Sequence, residues 1–223
     1  MREIDEKQDF CFLIMPGFPM ACLTSAIEPL RAANEICGQQ VFSWKVVSEN
    51  GGSVQSSANV SFEADTALVD VTSITHLYIL APPLAQFEEA DRTAAKFRWL
   101  ASHGAILGGF SGGIFPLARS GVLNSHMCSV HWVYRAAFEE EFSDIVLTNK
   151  VITIDRGVET VSGAGAVFDF MLGKIKDVLG HEMETEIACW FQHPYVRGED
   201  VVQRVPVPQT NGLGDQLQSY VAS

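Results

Sequence analysis

Ala105-Ile106-Leu107-Gly108-Gly109-Phe110 runs straight into Ser111-Gly112-Gly113, and a helical pattern follows from Gly112 to Ser120. An apolar run of six residues that breaks into small residues and then turns helical reads as a strand, a tight elbow and a helix. Such an elbow lifts one side chain, here Ser111, above the end of the strand. It also aims the next backbone N–H groups at whatever binds there. The same geometry seats the nucleophile in many α/β hydrolytic folds, so the fold and the function both hang on what surrounds Ser111.

Outward from the elbow, strands and helices alternate. Phe10 to Met15 is a continuous apolar strand closed by Pro16-Gly17, and Met20 to Cys37 has helical spacing with Gly38 as its stop. Phe42 to Ser48 alternates as a strand, and Asn50-Gly51-Gly52 signals a turn into a hairpin partner. Leu77 to Leu80 is a short buried strand, and Glu88 to His103 an amphipathic helix with Phe97, Leu100 and Ala101 inward. A helix opens at His131 and runs to Phe142. Ile145 to Thr148 and Val151 to Ile154, split by Asn149-Lys150, read as a second hairpin. Ala166 to Leu179 and Glu182 to Phe191 are the last helices. This order implies an α/β fold with a mainly parallel sheet covered on both faces. Ligands bind such sheets at the carboxyl ends of the strands, near the point where strand order reverses, and Ser111 stands at a strand's carboxyl end.

Composition bounds the function. The 223 residues are 47% hydrophobic and 19% charged, enough for one well-packed domain. Fifteen basic against 27 acidic residues give a net charge of −12. Duplex DNA is bound by cationic side chains that displace counterions, so this stretch does not read as a nucleic-acid surface. Five cysteines without paired spacing suggest reduced thiols in the cytoplasm, and Cys11, Cys37, Cys128 and Cys189 fall in apolar surroundings as packing thiols. The six histidines are scattered and no Cys-x-x-Cys occurs, so neither a metal nor another cofactor is expected. No apolar run is long enough to span a bilayer, and no membrane partner is expected. From residue 194 the chain turns polar and rich in proline and glycine, which reads as a linker towards a further domain.

Several constellations have both a functional and a structural reading. His131 follows Ser111 by twenty residues, and an imidazole there could take the hydroxyl proton or orient a ligand. Equally, Ser111 is a small residue in a tight turn and His131 a polar helix start. Glu28 and Arg31 are three apart in a helix interrupted by Pro29, either a surface ion pair or part of a pocket. Trp132 is a core aromatic or a pocket wall suited to a quaternary ammonium group. Ser162-Gly163-Ala164-Gly165-Ala166 precedes a helix and could offer N–H groups to an anion, or simply allow close packing.

Taken together, these residues resemble a known family. Met15-Pro16-Gly17-Phe18, Glu28-Pro29-Leu30-Arg31-Ala32-Ala33-Asn34, Asn50-Gly51-Gly52, Leu117-Ala118-Arg119-Ser120-Gly121-Val122-Leu123, His131-Trp132 and Thr160-Val161-Ser162-Gly163-Ala164-Gly165 look like the amino-terminal domain of AraC-type transcriptional regulators. That domain is PfpI-like, of the class I glutamine amidotransferase-like superfamily, and the resemblance implies a flavodoxin-like three-layer α/β/α sandwich. It further implies a ligand-sensing and dimerising unit, with DNA bound by a carboxyl-terminal helix-turn-helix domain absent from these residues. Enzymes of the superfamily carry a cysteine on the elbow, an acid beside it and glycine amides as an oxyanion hole. Here the elbow carries Ser111, the acid position falls at Cys22 or its neighbours, and Pro82-Pro83 replaces the glycines; only His131 matches. Proline has no N–H to donate, and losing one oxyanion donor typically costs about a hundred- to a thousandfold in rate.

The expectation is a non-catalytic domain spanning 10–193, after an extension 1–9 and before a linker 194–223. A small-molecule effector is expected over Ser111, held by the amides of Gly112 and Gly113. His131 and Trp132 form the other wall, with Phe18, Phe110 and Glu28 as further candidates. The resemblance points to amino-acid-like or quaternary amine effectors, hence a carnitine- or betaine-like zwitterion. Two rivals stand: a hydrolase or amidotransferase-like enzyme using Ser111 and His131, and a purely structural dimerisation module.

Overall fold

The computed structural model describes residues 7–206. The remainder of the extension and of the linker lies outside them. In chain order the elements are β1 (Gln8–Ile14), α1 (Met20–Cys37), β2 (Phe42–Ser48), β3 (Gly52–Gln55), β4 (Ser61–Ala64), β5 (Thr66–Ala67), β6 (His76–Leu80), α2 (Ala90–Ser102), β7 (Ile106–Phe110), α3 (Ile114–Arg119), β8 (Met127–Ser129), α4 (Arg135–Glu141), β9 (Val146–Thr148), β10 (Ile152–Asp155), β11 (Val158–Val161), α5 (Ala164–Leu179) and α6 (His181–Trp190).

Seven strands form the central sheet in the order β10-β11-β7-β6-β1-β2-β5. All neighbours run parallel except the β10–β11 edge. Buried parallel strands read as continuous apolar runs, because both faces are covered. β1 shows the division: Phe10, Phe12 and Ile14 enter the layer with α1, α5 and α6, whereas Cys11 and Leu13 enter the layer with α2, α3 and α4. The order reverses between β1 and β6, where the chain goes out to β2 and returns. Met15 donates its N–H to the carbonyl of Leu80 at 3.0 Å, so the carboxyl ends of those two strands are locked side by side.

α1 matches its sequence limits because its apolar spacing is unbroken and Gly38, at φ 69°, closes it in the left-handed conformation. Asn34 explains the end of the Glu28–Asn34 motif. Its carboxamide accepts from the N–H groups of Val41 and Phe42 and donates to the carbonyl of Phe42, tying α1 to β2.

Four expectations need correction. The turn at Asn50-Gly51-Gly52 does not fold a partner back on β2. It leads into β3, which pairs antiparallel with β4, since both flanks of β2 are taken by β1 and β5. Nor do residues 145–148 and 151–154 form a hairpin: β9 pairs parallel with β8, and β10 turns back on β11 through Arg156-Gly157. Ala101 is exposed, and the buried face of α2 is Thr93, Phe97 and Leu100. Cys189 is exposed as well.

Residues 194–206 run along the body rather than away from it. Asp169 on α5, with a side chain 0% exposed, accepts from Nε2 of His193 at 2.7 Å and from Nε of Arg197 at 2.5 Å. Beyond that clasp, Val151 donates to the carbonyl of Val201 and Gln203 donates to the carbonyl of Asn149, both at 2.8 Å. Among the described residues, no helix is long and apolar enough to cross a membrane.

Candidate functional site

The carboxyl ends of β1, β6, β7, β8 and β11 meet in one cluster of loops. At the end of β7, Ser111 adopts φ 54°, a left-handed conformation that non-glycine residues rarely take. Gly112 and Gly113 allow the elbow to nest against β6. A Cβ on Gly112 would fall 2.5 Å from the carbonyl oxygen of Ala81, and one on Gly113 would collide with that of Ile79. The Pro82-Pro83 loop is braced from α3, where Arg119 donates to the carbonyls of Pro83 at 3.0 Å and Ala85 at 2.7 Å while pairing with Glu141. Ser111 itself is half-buried, and among the described residues its hydroxyl makes no hydrogen bond.

His131 follows β8. Its Nδ1 accepts the N–H of Val133 at 3.3 Å, so the neutral ring carries its proton on Nε2. Burial lowers the pKa of this imidazole and keeps it neutral near pH 7. A base needs a free lone pair facing the nucleophile, and Nδ1 is already engaged by the backbone. The ring lies against Gly163, where a Cβ would stand 3.3 Å from Cδ2. Trp132 is half-buried, with its ring 5.6 Å from that of His131, and its backbone N–H donates to Oε1 of Gln203 at 2.9 Å.

His131 and Trp132 line a cavity of about 500 Å³ floored by the Ser162–Ala166 turn and walled by Arg197, Gln203 and Arg204. Ser111, Gly112, Gly113, Phe110, Phe18 and Glu28 are not among its lining residues. Phe110 is fully buried and stacked on Tyr78 at 4.6 Å, and Phe18 is fully buried edge-on to Phe62 at 5.5 Å. Phe110 supports the elbow from the core, whereas Phe18 packs beside the β3–β4 hairpin and bridges to Ser56. Glu28 faces Arg31 on the solvent side of α1, in an ion pair of 2.9 Å that Arg31 shares with Glu35.

Cys22 is 1% exposed, and burial pushes its thiol up to about 12. Burial thus keeps the Cys22 thiol protonated, at or next to the position where the family resemblance expects an acid. Among the described residues no three of His, Cys, Asp or Glu cluster as a metal site would require. Sequence reasoning missed Arg197, Gln203 and Arg204, which come from the stretch read as linker. The available signal was a cationic residue on each side of Val201-Val202, an apolar pair that a free linker does not need.

No family model matches the chain. It is 31% identical over 216 residues to the HTH-type transcriptional regulator GbdR of Pseudomonas aeruginosa, covering 96% of this chain and 59% of that protein. Among solved structures, an AraC family transcriptional regulator from Pseudomonas putida superposes with a TM-score of 0.72 at 25% identity, over 82% of this chain and 99% of that one. The chain is a PfpI-like domain related to AraC-type regulators. A ThiJ/PfpI family protein from Pseudomonas syringae shares the fold, with a TM-score of 0.74 at 14% identity over 97% of this chain and 86% of that one. The chain spans 59% of the length of the regulator GbdR. Within this PfpI-like domain the elbow at Ser111 is followed by Gly112 and Gly113, which pack against the carbonyls of Ala81 and Ile79.

Proposed function

We propose that this chain is the effector-sensing part of a cytoplasmic transcriptional regulator that binds DNA through a separate helix-turn-helix domain and works as a homodimer. The observation that carries the reading is the cavity of about 500 Å³ at the carboxyl ends of the strands, lined by His131 and Trp132. Its volume falls in the range of small-molecule sites, roughly 300–1,000 Å³. It stands beyond the carboxyl ends of β8 and β11, the end of the sheet at which open α/β folds take ligands. Trp132 offers a face to a methylated ammonium group, and His131 offers an N–H through Nε2. A small zwitterion of the carnitine or betaine kind suits both. In this reading Phe110 holds the elbow in place, Phe18 packs beside the β3–β4 hairpin, Ser111 with Gly112 and Gly113 stands outside the cavity's walls, and Glu28 takes no part.

Sensing requires the effector to bind one arrangement of the domain or dimer better than another. Calorimetric titration of the chain with carnitine and trimethylglycine, with choline as the carboxylate-free control, tests it. Saturable heat that Trp132→Ala abolishes is expected. No heat and no thermal shift with any zwitterion would remove the reading's support.

A second reading, hydrolysis through Ser111 and His131, is favoured by one observation, the left-handed φ of 54° at Ser111 that nucleophile elbows share. A fluorophosphonate serine probe followed by intact mass decides between them. Labelling of Ser111 that disappears in His131→Ala would establish the enzyme.

A further inference from the structure

The floor of the cavity is the amino-terminal end of α5, a helix of 16 residues whose N-cap, Gly163, has no side chain to satisfy the first-turn N–H groups. Those groups carry the positive end of the helix dipole. Two further features of the same place point to an anion. Ser162 is 5% exposed yet lines the cavity, and among the described residues its hydroxyl makes no hydrogen bond. The cavity wall also holds two arginines and no acidic residue, in a chain with 27 acidic against 15 basic side chains. Arg197 is fixed by Asp169 through Nε at 2.5 Å, and its Nη2 lies 2.7 Å from where a Cβ on Gly165 would stand. Arg204 has no ion-pair partner among the described residues.

We infer that this end of the cavity is a carboxylate subsite, formed by the N–H groups of Ala164 and Gly165, the hydroxyl of Ser162 and the guanidinium groups of Arg197 and Arg204. The inference rests on the sensing reading for its purpose and refines it, moving the anion cradle from the Ser111 elbow to the start of α5. Asp169 neutralises Arg197 in part, which leaves about one net positive charge to meet one carboxylate. Gly165 leaves room for this arrangement, since a side chain at 165 would displace the Arg197 guanidinium from above the helix end. The arginines come from residues 197–204, so an occupied subsite pins that segment to the body. A carboxylate would then join the sensing cavity to the stretch of chain that follows it.

Acetate, used alone as the probe, tests the subsite without the rest of an effector. Backbone amide shifts of the 15N-labelled chain are followed as acetate replaces chloride at constant ionic strength. Saturable shifts at Ala164 and Gly165 are expected. Arg204→Gln and Ser162→Ala each weaken binding, by about tenfold for the arginine, in keeping with the loss of a charge-assisted hydrogen bond. Arg92→Gln, a remote surface variant, leaves it unchanged. Arg204 is exposed, so its variant folds even if Ser162→Ala does not. Three outcomes overturn the subsite: no saturable shift, the same shift in wild type and Arg204→Gln, or shifts centred on Gly112 and Gly113. Each leaves the sensing reading to its own titration with zwitterions, and failure of that titration leaves the acetate result standing.

Discussion

The imidazole of His131 lies so close to Gly163 that a Cβ there would stand 3.3 Å from Cδ2 and 3.9 Å from Nε2. Gly163 has φ −174°, extended backbone open to any residue, so a side chain there is resisted by the ring, which would have to shift by a few tenths of an ångström, and not by the turn. Gly163→Ala is therefore expected to fold with a stability change within about 1 kcal/mol, while pushing the ring and Trp132 into the cavity. Effector binding should weaken by more than tenfold in titration calorimetry. Equal affinity in the variant would place the effector elsewhere.

Asp169 is expected to control the segment beyond it. It has no exposed side-chain surface and receives both His193 and Arg197. Asp169→Asn removes the charge and leaves Arg197 without its counter-ion. Because Arg197 is 39% exposed, water compensates part of the loss, and a destabilisation of about 1–3 kcal/mol is expected. Hydrogen exchange over residues 194–206 should rise well before exchange in β1 or β6 does. Uniform acceleration across the chain would show that the clasp serves the core and not the segment.

The two layers and the elbow were legible because local rules decide them. An unbroken apolar face and Gly38 bound α1, and Gly112-Gly113 after Phe110 marks the turn. Partner choice was not legible. Asn50-Gly51-Gly52 announces a turn whichever strands it joins, and only the pairing of β1 and β5 on the two flanks of β2 excludes a hairpin there. The β10–β11 hairpin had its own signal in Arg156-Gly157, whose φ values of 49° and 83° are those of a tight two-residue connection. At the site, His131 and Trp132 were readable as neighbours in sequence. Arg197 and Arg204 reach the cavity only through the burial of Asp169 and the bonds of Gln203, contacts between parts of the chain about 30 to 70 residues apart that no local pattern encodes.

Acid should destabilise the fold through His76. It is 6% exposed, stacked on Phe10 at 4.6 Å, and burial, aided by the charge of Lys174, lowers its pKa to about 3. An unfolded histidine titrates near ~6.5. Because the folded value is the lower one, the unfolded chain binds the extra proton between the two. Stability is thus complete above pH 6.5 and falls as pH drops, by about 1.4 kcal/mol per unit for this proton. Urea denaturation at pH 7, 6 and 5 should show that slope, and His76→Gln should flatten it. His131, lowered by burial too, adds in the same direction. A native chain with constant stability over this range would contradict the assignment.

Ser111 offers the last test, because strain and chemistry predict different variants to be tolerated. At φ 54° a side chain with a Cβ is held against its preference, at a cost of roughly 1–2 kcal/mol. Glycine relieves that strain but loses more chain entropy on folding, about 0.4–1 kcal/mol, so Ser111→Gly should lie within about 1 kcal/mol of the native chain. Ser111→Val adds a β-branched side chain at the same φ and should be the least stable of the series. Effector binding should survive in Ser111→Gly, since the cavity is lined by His131, Trp132 and the start of α5, and the Ser111 hydroxyl is not among its walls. An enzyme working through Ser111 would lose its turnover with that hydroxyl however well the variant folded. Paired denaturation and titration of Ser111→Gly therefore separate a strained turn kept for shape from a nucleophile kept for reaction, with intact binding in a stable variant as the expected result.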